Sequence, residues 1–177
     1  MKIKISIYII LLLIISGNAL QAQNKIKWIS FEEAIEKQKE VNKKLFIDVY
    51  TDWCGWCKKM DKTTFLNPVI VEYINKNYLP VKFDAEQKTL INFQGKDYNF
   101  VKNGRRGYHE LAATITRGQL SYPTYVFLDE QMNVIQPVPG YQDEVTLEYI
   151  LNYFGEDIYK KVPWKKFTEE YKPKNKK

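Results

Sequence analysis

Metal ligands are scarce in this sequence. Its 177 residues include two cysteines and a single histidine, His109. A structural zinc site takes about four ligands, chiefly Cys and His, so this inventory excludes zinc and we predict no metal site. Two cysteines are also too few for a scaffold held together by disulfides. A chain of this length can instead fold as one domain around its own core, and aromatic residues, 15% of the sequence, favour a packed interior.

Long hydrophobic runs are absent as well. The apolar run at residues 5–15 falls short of the roughly 20 residues that a membrane-spanning helix needs. It follows Lys2 and Lys4 and precedes a short stretch that ends at Ala22. This layout is typical of a secretory signal peptide over residues 1–22, with cleavage after Ala22, and a retained anchor is the alternative. We therefore expect an exported protein, located in the periplasm or the cell envelope.

An excess of positive charge is missing from the body of the chain, although the formal net charge is +6. Eight basic residues lie in residues 159–177 and two in the signal segment, so residues 23–158 carry 17 basic and 19 acidic side chains. A nearly neutral body argues against a nucleic-acid-binding protein. We interpret residues 159–177 as a solvated basic tail, with contact to an anionic membrane surface as the alternative. Trp164, Phe167 and Tyr171 predict a short amphipathic segment before its lysine-rich end.

Both cysteines lie in one segment, residues 51–60, which reads TDWCGWCKKM. A strand-like apolar run at residues 45–50 precedes it and a helical pattern follows, which places Cys54 at a helix N-terminus. The spacing brings the sulfurs of Cys54 and Cys57 to one side of the first turn, close enough to form a disulfide. The helix dipole there favours an anion, so we expect the pKa of Cys54 to lie below the ~8.5 of a free thiol. Cys54 is then the exposed attacking sulfur, and Cys57 the shielded resolving sulfur.

A purely structural disulfide is the alternative interpretation of this pair. Disulfides of that kind usually close long loops, and a loop with two intervening residues gains little from closure. Redox chemistry therefore fits the spacing better.

The rest of the chain alternates helical and strand patterns. Ser30 and Glu33 form a capping-box pattern, and Asn67 followed by Pro68 is typical of a helix start. Pro80 is expected to break the chain before a short strand. The predicted helices cover residues 31–41, 68–77 and 143–154, and the predicted strands cover residues 45–50, 81–84, 124–128 and 134–135.

Residues 86–119 give weaker signals. Residues 90–93 and 98–101 flank a turn pattern and predict a small hairpin. Residues 103–107 read as a loop, and residues 108–116 as a helix. We expect His109 to lie on the exposed face of this helix, as an ordinary surface histidine.

The combination of a strand, Trp53-Cys-x-x-Cys-Lys58, a helix and a distant Pro123-Thr124 resembles the thioredoxin family, specifically its exported bacterial branch. The resemblance covers residues 31–154. It implies an α/β, thioredoxin-like fold with a central mixed sheet flanked by helices. The expected domain spans residues 23–158, with an insertion at about residues 86–119 before a strand that begins with a cis-proline.

The resemblance also implies roles for Asp48 and Lys82. Asp48 matches the family's buried carboxylate, which moves a proton to or from the resolving cysteine. Burial in a dry strand raises the pKa of a carboxyl group, which suits general acid–base work near neutral pH. Lys82 matches the lysine beside that carboxylate. The alternative places Asp48 at a strand end, facing solvent.

Four further residues are expected to bind the substrate. Pro123 matches the family's cis-proline, and the backbone of Tyr122 is expected to pair with an incoming peptide. Without the resemblance a trans proline would be the default. Trp53 and Trp56 are expected to form an exposed apolar surface, with burial in the core as the alternative.

The function that this pattern implies is an exported thiol–disulfide oxidoreductase that reduces or isomerises disulfides of envelope proteins. Its redox centre is the Cys54/Cys57 pair, with no other cofactor. The expected partners are protein thiols and disulfides, together with a membrane electron carrier. Because Trp56 replaces the proline common between thioredoxin cysteines, an oxidase of the same fold is one alternative. A non-catalytic binding module is the other.

Overall fold

The computed structural model describes residues 25–175, so the predicted signal peptide lies outside the described residues. We number the helices and strands in chain order. The helices are α1 (Phe31–Val41), α2 (Gly55–Lys62), α3 (Pro68–Asn77), α4 (Glu110–Ile115), α5 (Glu144–Gly155) and α6 (Trp164–Glu170). The strands are β1 (Lys44–Tyr50), β2 (Tyr78–Asp84), β3 (Ile91–Phe93), β4 (Lys96–Tyr98), β5 (Phe100–Asn103), β6 (Arg106–His109), β7 (Thr124–Leu128) and β8 (Val134–Pro139).

Four of the strands form a mixed central sheet in the order β2-β1-β7-β8. β1 pairs with β2 in parallel and with β7 in antiparallel orientation, and β8 runs antiparallel to β7. In this register Asp48 lies between Lys82 on one side and Tyr125 on the other. The sheet therefore brings together, on neighbouring strands, two residues that the sequence singled out separately.

Helices cover both faces of the sheet, which confirms the predicted fold class. Successive β1 side chains point to opposite faces. Ile47 belongs to the cluster that packs beneath α1 and α4, whereas Phe46 belongs to the cluster beneath α2, α3 and α5. Asp48 shares the second face with Phe46, because the two residues are two positions apart. The carboxylate therefore lies on the face of the sheet that α2 covers.

Local capping signals define the helix starts that the sequence predicted. The Ser30 side chain accepts a hydrogen bond from the Glu33 amide at 3.1 Å. Asn67 caps α3 in the same way, with Pro68 at the first helical position. α1 ends at Val41 as predicted, and Asn42 follows in the left-handed conformation with φ of 44°.

Pro80 does not break the chain, and that prediction was wrong. It lies inside β2, which is an edge strand of the sheet. The Pro80 carbonyl accepts a hydrogen bond from the Ile29 amide, at 3.0 Å on the outer edge. Since the N and C=O of one residue point to the same side of a strand, the missing N–H of Pro80 removes no bond to β1.

Residues 86–119 form two hairpins and a short helix rather than one hairpin, a loop and a helix. β3 pairs with β4 and β5 pairs with β6. The predicted surface position of His109 was wrong, because the side chain is fully buried. His109 Nε2 lies 2.9 Å from the Thr89 carbonyl, and Nδ1 accepts a hydrogen bond from the Leu111 amide. His109 thus links the segment around Thr89 to the start of α4.

The short amphipathic segment predicted around Trp164, Phe167 and Tyr171 is the helix α6, whereas the described residues after it are not a freely solvated tail. α6 buries Phe167 against the core. Beyond it, the backbone amides of Lys174 and Asn175 donate to the buried carboxylate of Glu148. The segment is therefore packed on α5.

Within residues 25–175, no helix combines the length and the apolar character that crossing a membrane would require.

Candidate redox site

Cys54 and Cys57 form a disulfide at the start of α2, with their Cα atoms 5.3 Å apart. Cys54 is the N-cap residue of this helix, and Cys57 lies within its first turn. The Cys57 amide donates to Cys54 Sγ at 3.0 Å. The same N–H points at a Cys54 thiolate when the bond is open, so the helix start is built to stabilise a negative sulfur.

Cys54 is much less exposed than the sequence led us to expect. The residue is 5% exposed, compared with 2% for Cys57. In the disulfide each sulfur covers part of the other, and the Cys57 amide covers a further part of Cys54 Sγ. Cys54 is still the more accessible of the two. A partner must therefore approach closely to reach it.

Trp53 and Trp56 flank this sulfur and are 50% and 56% exposed. Neither is a core residue. The Trp56 ring contacts Tyr141 with centroids 5.4 Å apart, and Lys59 Nζ lies 5.0 Å from the Trp56 centroid. The two tryptophans provide exposed apolar area beside the disulfide.

Asp48 lies beneath the helix and is 1% exposed. Lys82 Nζ donates to Asp48 Oδ2 at 2.6 Å, whereas Asp48 Oδ1 is buried with no hydrogen-bond partner among the described residues. Burial is the largest influence on this carboxyl group and raises its pKa; the charge and hydrogen bond of Lys82 lower it, and the charge of Asp61 raises it. The net result is a pKa of about 6, raised from 3.8. Such a group is mostly ionised at pH 7 but close to its titration range, which suits proton transfer.

Asp61 is a site residue that the sequence analysis missed. Its carboxylate accepts a second hydrogen bond from Lys82 Nζ, at 2.5 Å. Burial disfavours the Lys82 ammonium, but Asp48 and Asp61 outweigh this effect and raise the pKa of Lys82 above its usual value. A signal was present in the sequence, because Asp61 lies four residues after Cys57 and therefore on the same side of α2.

The Tyr122–Pro123 peptide bond is cis, in agreement with the geometry that the resemblance implied. The Tyr122 ring meets Trp53 edge-on, with centroids 5.8 Å apart, so this loop lies beside the cysteine segment. Among residues 25–175, the backbone N–H and C=O of Tyr122 make no hydrogen bond within the protein. They are available to an extended chain that lies alongside.

Arg106 is the second residue that the sequence analysis missed. Its guanidinium carbon lies 4.1 Å from the centroid of Trp53. The contact joins β6 to the residue that precedes Cys54. No local pattern could have found it, because it depends on how the β5–β6 hairpin sits against the sheet.

A metal site is not part of this arrangement as far as residues 25–175 are concerned. They contain no group of three His, Cys, Asp or Glu side chains placed to hold an ion.

A mixed sheet with helices on both faces, a cysteine pair at a helix start and a cis-proline beside it together define a thioredoxin-like fold of the thiol–disulfide oxidoreductase class. A thioredoxin-fold protein from Helicobacter pylori superposes with a TM-score of 0.55, at 20% identity over 73% of this chain and 80% of that chain. A thioredoxin from Thermus thermophilus gives 0.54, at 13% identity over 72% and 85% of the two chains. A protein from Bacteroides thetaiotaomicron, named as a disulphide-isomerase candidate, gives 0.51 at 25% identity over 73% and 93%.

The chain belongs to the Thioredox_DsbH family, described as a protein of unknown function (DUF255), whose model matches residues 18–139. It is similar to the uncharacterized protein B0495.5 of Caenorhabditis elegans, with 35% identity over 49% of this chain and 12% of that protein. It is also similar to spermatogenesis-associated protein 20 of Rattus norvegicus, with 34% identity over 40% of this chain and 9% of that protein. An uncharacterized protein of Archaeoglobus fulgidus is 33% identical over 40% of this chain and 57% of its own length. The chain thus spans only a small part of the worm and rat relatives.

Proposed function

We propose that this protein is an exported thiol–disulfide oxidoreductase that reduces or isomerises disulfides of envelope proteins. The observation that carries the proposal is the position of Cys54: it is the N-cap of α2, its sulfur accepts a hydrogen bond from the Cys57 amide, and it is the more accessible of the two cysteines. The 25% identical Bacteroides protein, named for disulphide isomerisation, supports the same class of reaction.

The exchange begins with the pair reduced. The Cys54 thiolate attacks one sulfur of a partner disulfide, and the second partner sulfur leaves as a thiolate that takes up a proton. Cys57 then loses its proton and attacks Cys54 Sγ, which forms the Cys54–Cys57 disulfide and releases the partner as a dithiol. Two electrons pass from the protein to the partner. Isomerisation follows when the freed partner thiolate attacks another disulfide of the partner before Cys57 attacks Cys54 Sγ. The thiolate set free by that exchange then attacks the partner sulfur bonded to Cys54, which closes a new partner disulfide and releases the Cys54 thiolate with no net electron transfer.

Asp48 is proposed to accept the Cys57 proton. Its Oδ2 atom is held by Lys82, and the unpartnered Oδ1 atom is free to take up a proton. A pKa of about 6 leaves the carboxylate ionised at neutral pH and able to act as a base. Lys82 is a positioning residue, because it fixes Asp48 and lowers the Asp48 pKa.

The partner chain is proposed to bind as an added strand beside Pro123. The unpaired backbone groups of Tyr122 supply the hydrogen bonds of such a strand. The exposed rings of Trp53 and Trp56 supply apolar contact on either side. Main-chain pairing gives affinity for many sequences, so side-chain contacts must supply any selectivity.

Export is supported by the signal-like pattern of residues 1–22. A reductase in an oxidising compartment is left as a disulfide after each turnover. It therefore requires a dithiol electron carrier, proposed to be a membrane protein, which reduces Cys54–Cys57 again.

The proposal is tested by insulin reduction with dithiothreitol as the electron source. We expect Cys54→Ala to abolish catalysed reduction, because the attacking sulfur is gone. In a second experiment, in the native compartment, we expect Cys57→Ala to accumulate mixed disulfides with envelope proteins, because the resolving sulfur is gone. Glu170→Gln, at an exposed position of α6 outside the redox site, is the control and is expected to keep the reaction.

Undiminished reduction by Cys54→Ala would refute the proposed mechanism. The direction of exchange is set by the reduction potential of the pair. A value near the roughly −270 mV of thioredoxin fits a reductase, and a value near the roughly −120 mV of the strongest oxidants would make the protein an oxidase.

A further inference from the structure

The β5–β6 hairpin brings positive charge to the edge of the redox site. Arg106, on β6, lies against the Trp53 ring, with its guanidinium carbon 4.1 Å from the ring centroid. Trp53 in turn contacts Tyr122, with ring centroids 5.8 Å apart. The hairpin therefore reaches the surface on which a partner polypeptide is proposed to pair.

The hairpin is held in a defined position. At its base, the buried His109 donates its amide to the Ala85 carbonyl at 2.6 Å, and its ring nitrogen Nε2 lies 2.9 Å from the Thr89 carbonyl. Within the hairpin, Gly107 lies so close to the Phe100 ring and the Val101 carbonyl that a side chain would not fit. Charges on this hairpin are thus presented at a fixed place relative to Cys54.

Four basic side chains and one carboxylate line a groove of about 400 Å³ between this hairpin and the segment at residues 86–88. These are Lys88, Lys102, Arg105 and Arg106, with Glu86 as the carboxylate. All four basic side chains are exposed, and none makes an ion pair within residues 25–175. Because these four positive charges outnumber the single carboxylate, the groove attracts an acidic partner that approaches it.

We propose that the β5–β6 hairpin selects polypeptide partners that carry acidic side chains beside the disulfide that Cys54 attacks. The inference rests on the proposed function. A polypeptide is favoured over a lipid surface or a nucleic acid because the charge adjoins Trp53 and the free backbone of Tyr122. In addition, residues 23–158 carry no overall positive excess, with 17 basic and 19 acidic side chains.

The test uses two synthetic disulfide peptides that differ only in their flanking residues, Asp and Glu in one and Asn and Gln in the other. The full chain is expected to reduce the acidic peptide with about tenfold higher kcat/KM at low salt. This ratio should fall towards one at high salt, because exposed charges are screened beyond ~3 Å at 1 M.

The decisive variant is Lys88→Gln/Lys102→Gln/Arg105→Gln, in which the ratio is expected to fall to about one. The control Lys161→Gln/Lys165→Gln/Lys172→Gln removes the same charge from the C-terminal segment and should keep the ratio. Equal kcat/KM values for the two peptides, or an unchanged ratio in the hairpin variant, would overturn the inference. Circular dichroism verifies that both variants are folded.

A binding measurement separates this inference from the proposed function. Calorimetric titration uses the same peptides with serine in place of cysteine. Preferential binding of the acidic peptide that is lost in the hairpin variant supports the inference even if neither disulfide peptide is reduced, an outcome that would refute only the proposed function. If phosphatidylglycerol vesicles or single-stranded DNA bind through these charges and the acidic peptide does not, the proposed partner class is wrong.

Discussion

Burial and charge act in opposite directions on the Asp48 carboxyl group. Placing an ionised carboxylate at a fully buried position is unfavourable, and the hydrogen bond from Lys82 offsets only part of this effect. Lys82 is shared with Asp61, whose negative charge also raises the Asp48 pKa. The Asp48 carboxylate therefore has a pKa close to neutral pH, and its buried charge lowers the free energy of unfolding.

Replacing Asp48 by Asn should stabilise the oxidised protein at neutral pH. The folded pKa of about 6 lies above the usual 3.8, so the folded state holds the proton more tightly than the unfolded chain. The favourable contribution of protonated Asp48 is complete below pH 3.8 and is lost as the pH rises through about 6. Above that pH we expect the free energy of unfolding of Asp48→Asn, measured in urea, to exceed that of the unmodified protein by at most about 3 kcal/mol. This difference should disappear in acid, where Asp48 is protonated.

Asp61→Asn is the comparison for this measurement. It leaves Asp48 in place but removes the negative charge that raises the Asp48 pKa. The pH dependence of unfolding should therefore persist with its midpoint shifted to lower pH. If Asp48→Asn unfolds with the same pH dependence as the unmodified protein, Asp48 is not the group that titrates.

Among the elements, the β5–β6 hairpin depends on the absence of a side chain at Gly107. A Cβ atom there would lie inside van der Waals contact with the Phe100 ring and the Val101 carbonyl oxygen. Phe100 pairs with His109 across the hairpin, so a displacement of the ring is passed to the buried base.

Gly107→Ala is therefore expected to lower the free energy of unfolding by about 1–3 kcal/mol, as overpacking usually does. It should also reduce the preference for acidic peptides, because the basic side chains move relative to Trp53. Urea unfolding and the kcat/KM ratio measure the two effects. Asn103→Ala, at an exposed position of the same hairpin, should change the unfolding free energy by no more than about 0.5 kcal/mol. Equal effects of the two substitutions would show that the close approach at Gly107 is unimportant.

Elements with local signals could be predicted from the sequence. Ser30 and Asn67 cap their helices through side-chain bonds to residues two or three positions away, so a short window contains the information. Cys54 and Cys57 follow β1 directly, and their place at the start of α2 is equally local. The geometry around Asp48 required the resemblance to a known family, because Lys82 is distant in sequence.

Features that depend on how the strands pack in the sheet could not be predicted from a short window of sequence. Pro80 is tolerated because β2 lies at an edge, which only the strand order decides. His109 is buried by residues of β2 and of the loop after it, including Phe83 at 5.6 Å between ring centroids. The contact of Arg106 with Trp53 joins residues that are more than fifty positions apart and depends on the placement of a whole hairpin.

At the scale of the whole molecule, the C-terminal segment closes one side of the core. The Glu148 carboxylate of α5 is buried and accepts hydrogen bonds from the amides of Lys174 and Asn175, at 2.7 and 2.8 Å, and from the Tyr171 hydroxyl at 3.2 Å. The Asn175 side chain also donates to Glu148 and accepts from Asn67, the N-cap of α3. One carboxylate thus ties the chain end to two helices that cover the sheet.

Glu148→Gln should release this segment, because the new amide nitrogen would face a backbone N–H donor of Lys174 or Asn175 and leave it without an acceptor at this buried side chain. We expect the free energy of unfolding to fall by about 1–3 kcal/mol and carboxypeptidase to remove the C-terminal residues faster. Glu170→Gln, at an exposed helix position with a 3.9 Å contact to Lys166, should change the unfolding free energy by less than about 1 kcal/mol. Insulin reduction should be retained in both variants, since Glu148 lies outside the redox site. Unchanged stability and unchanged digestion of Glu148→Gln would mean that the hydrogen bonds to this carboxylate do not hold the segment in solution.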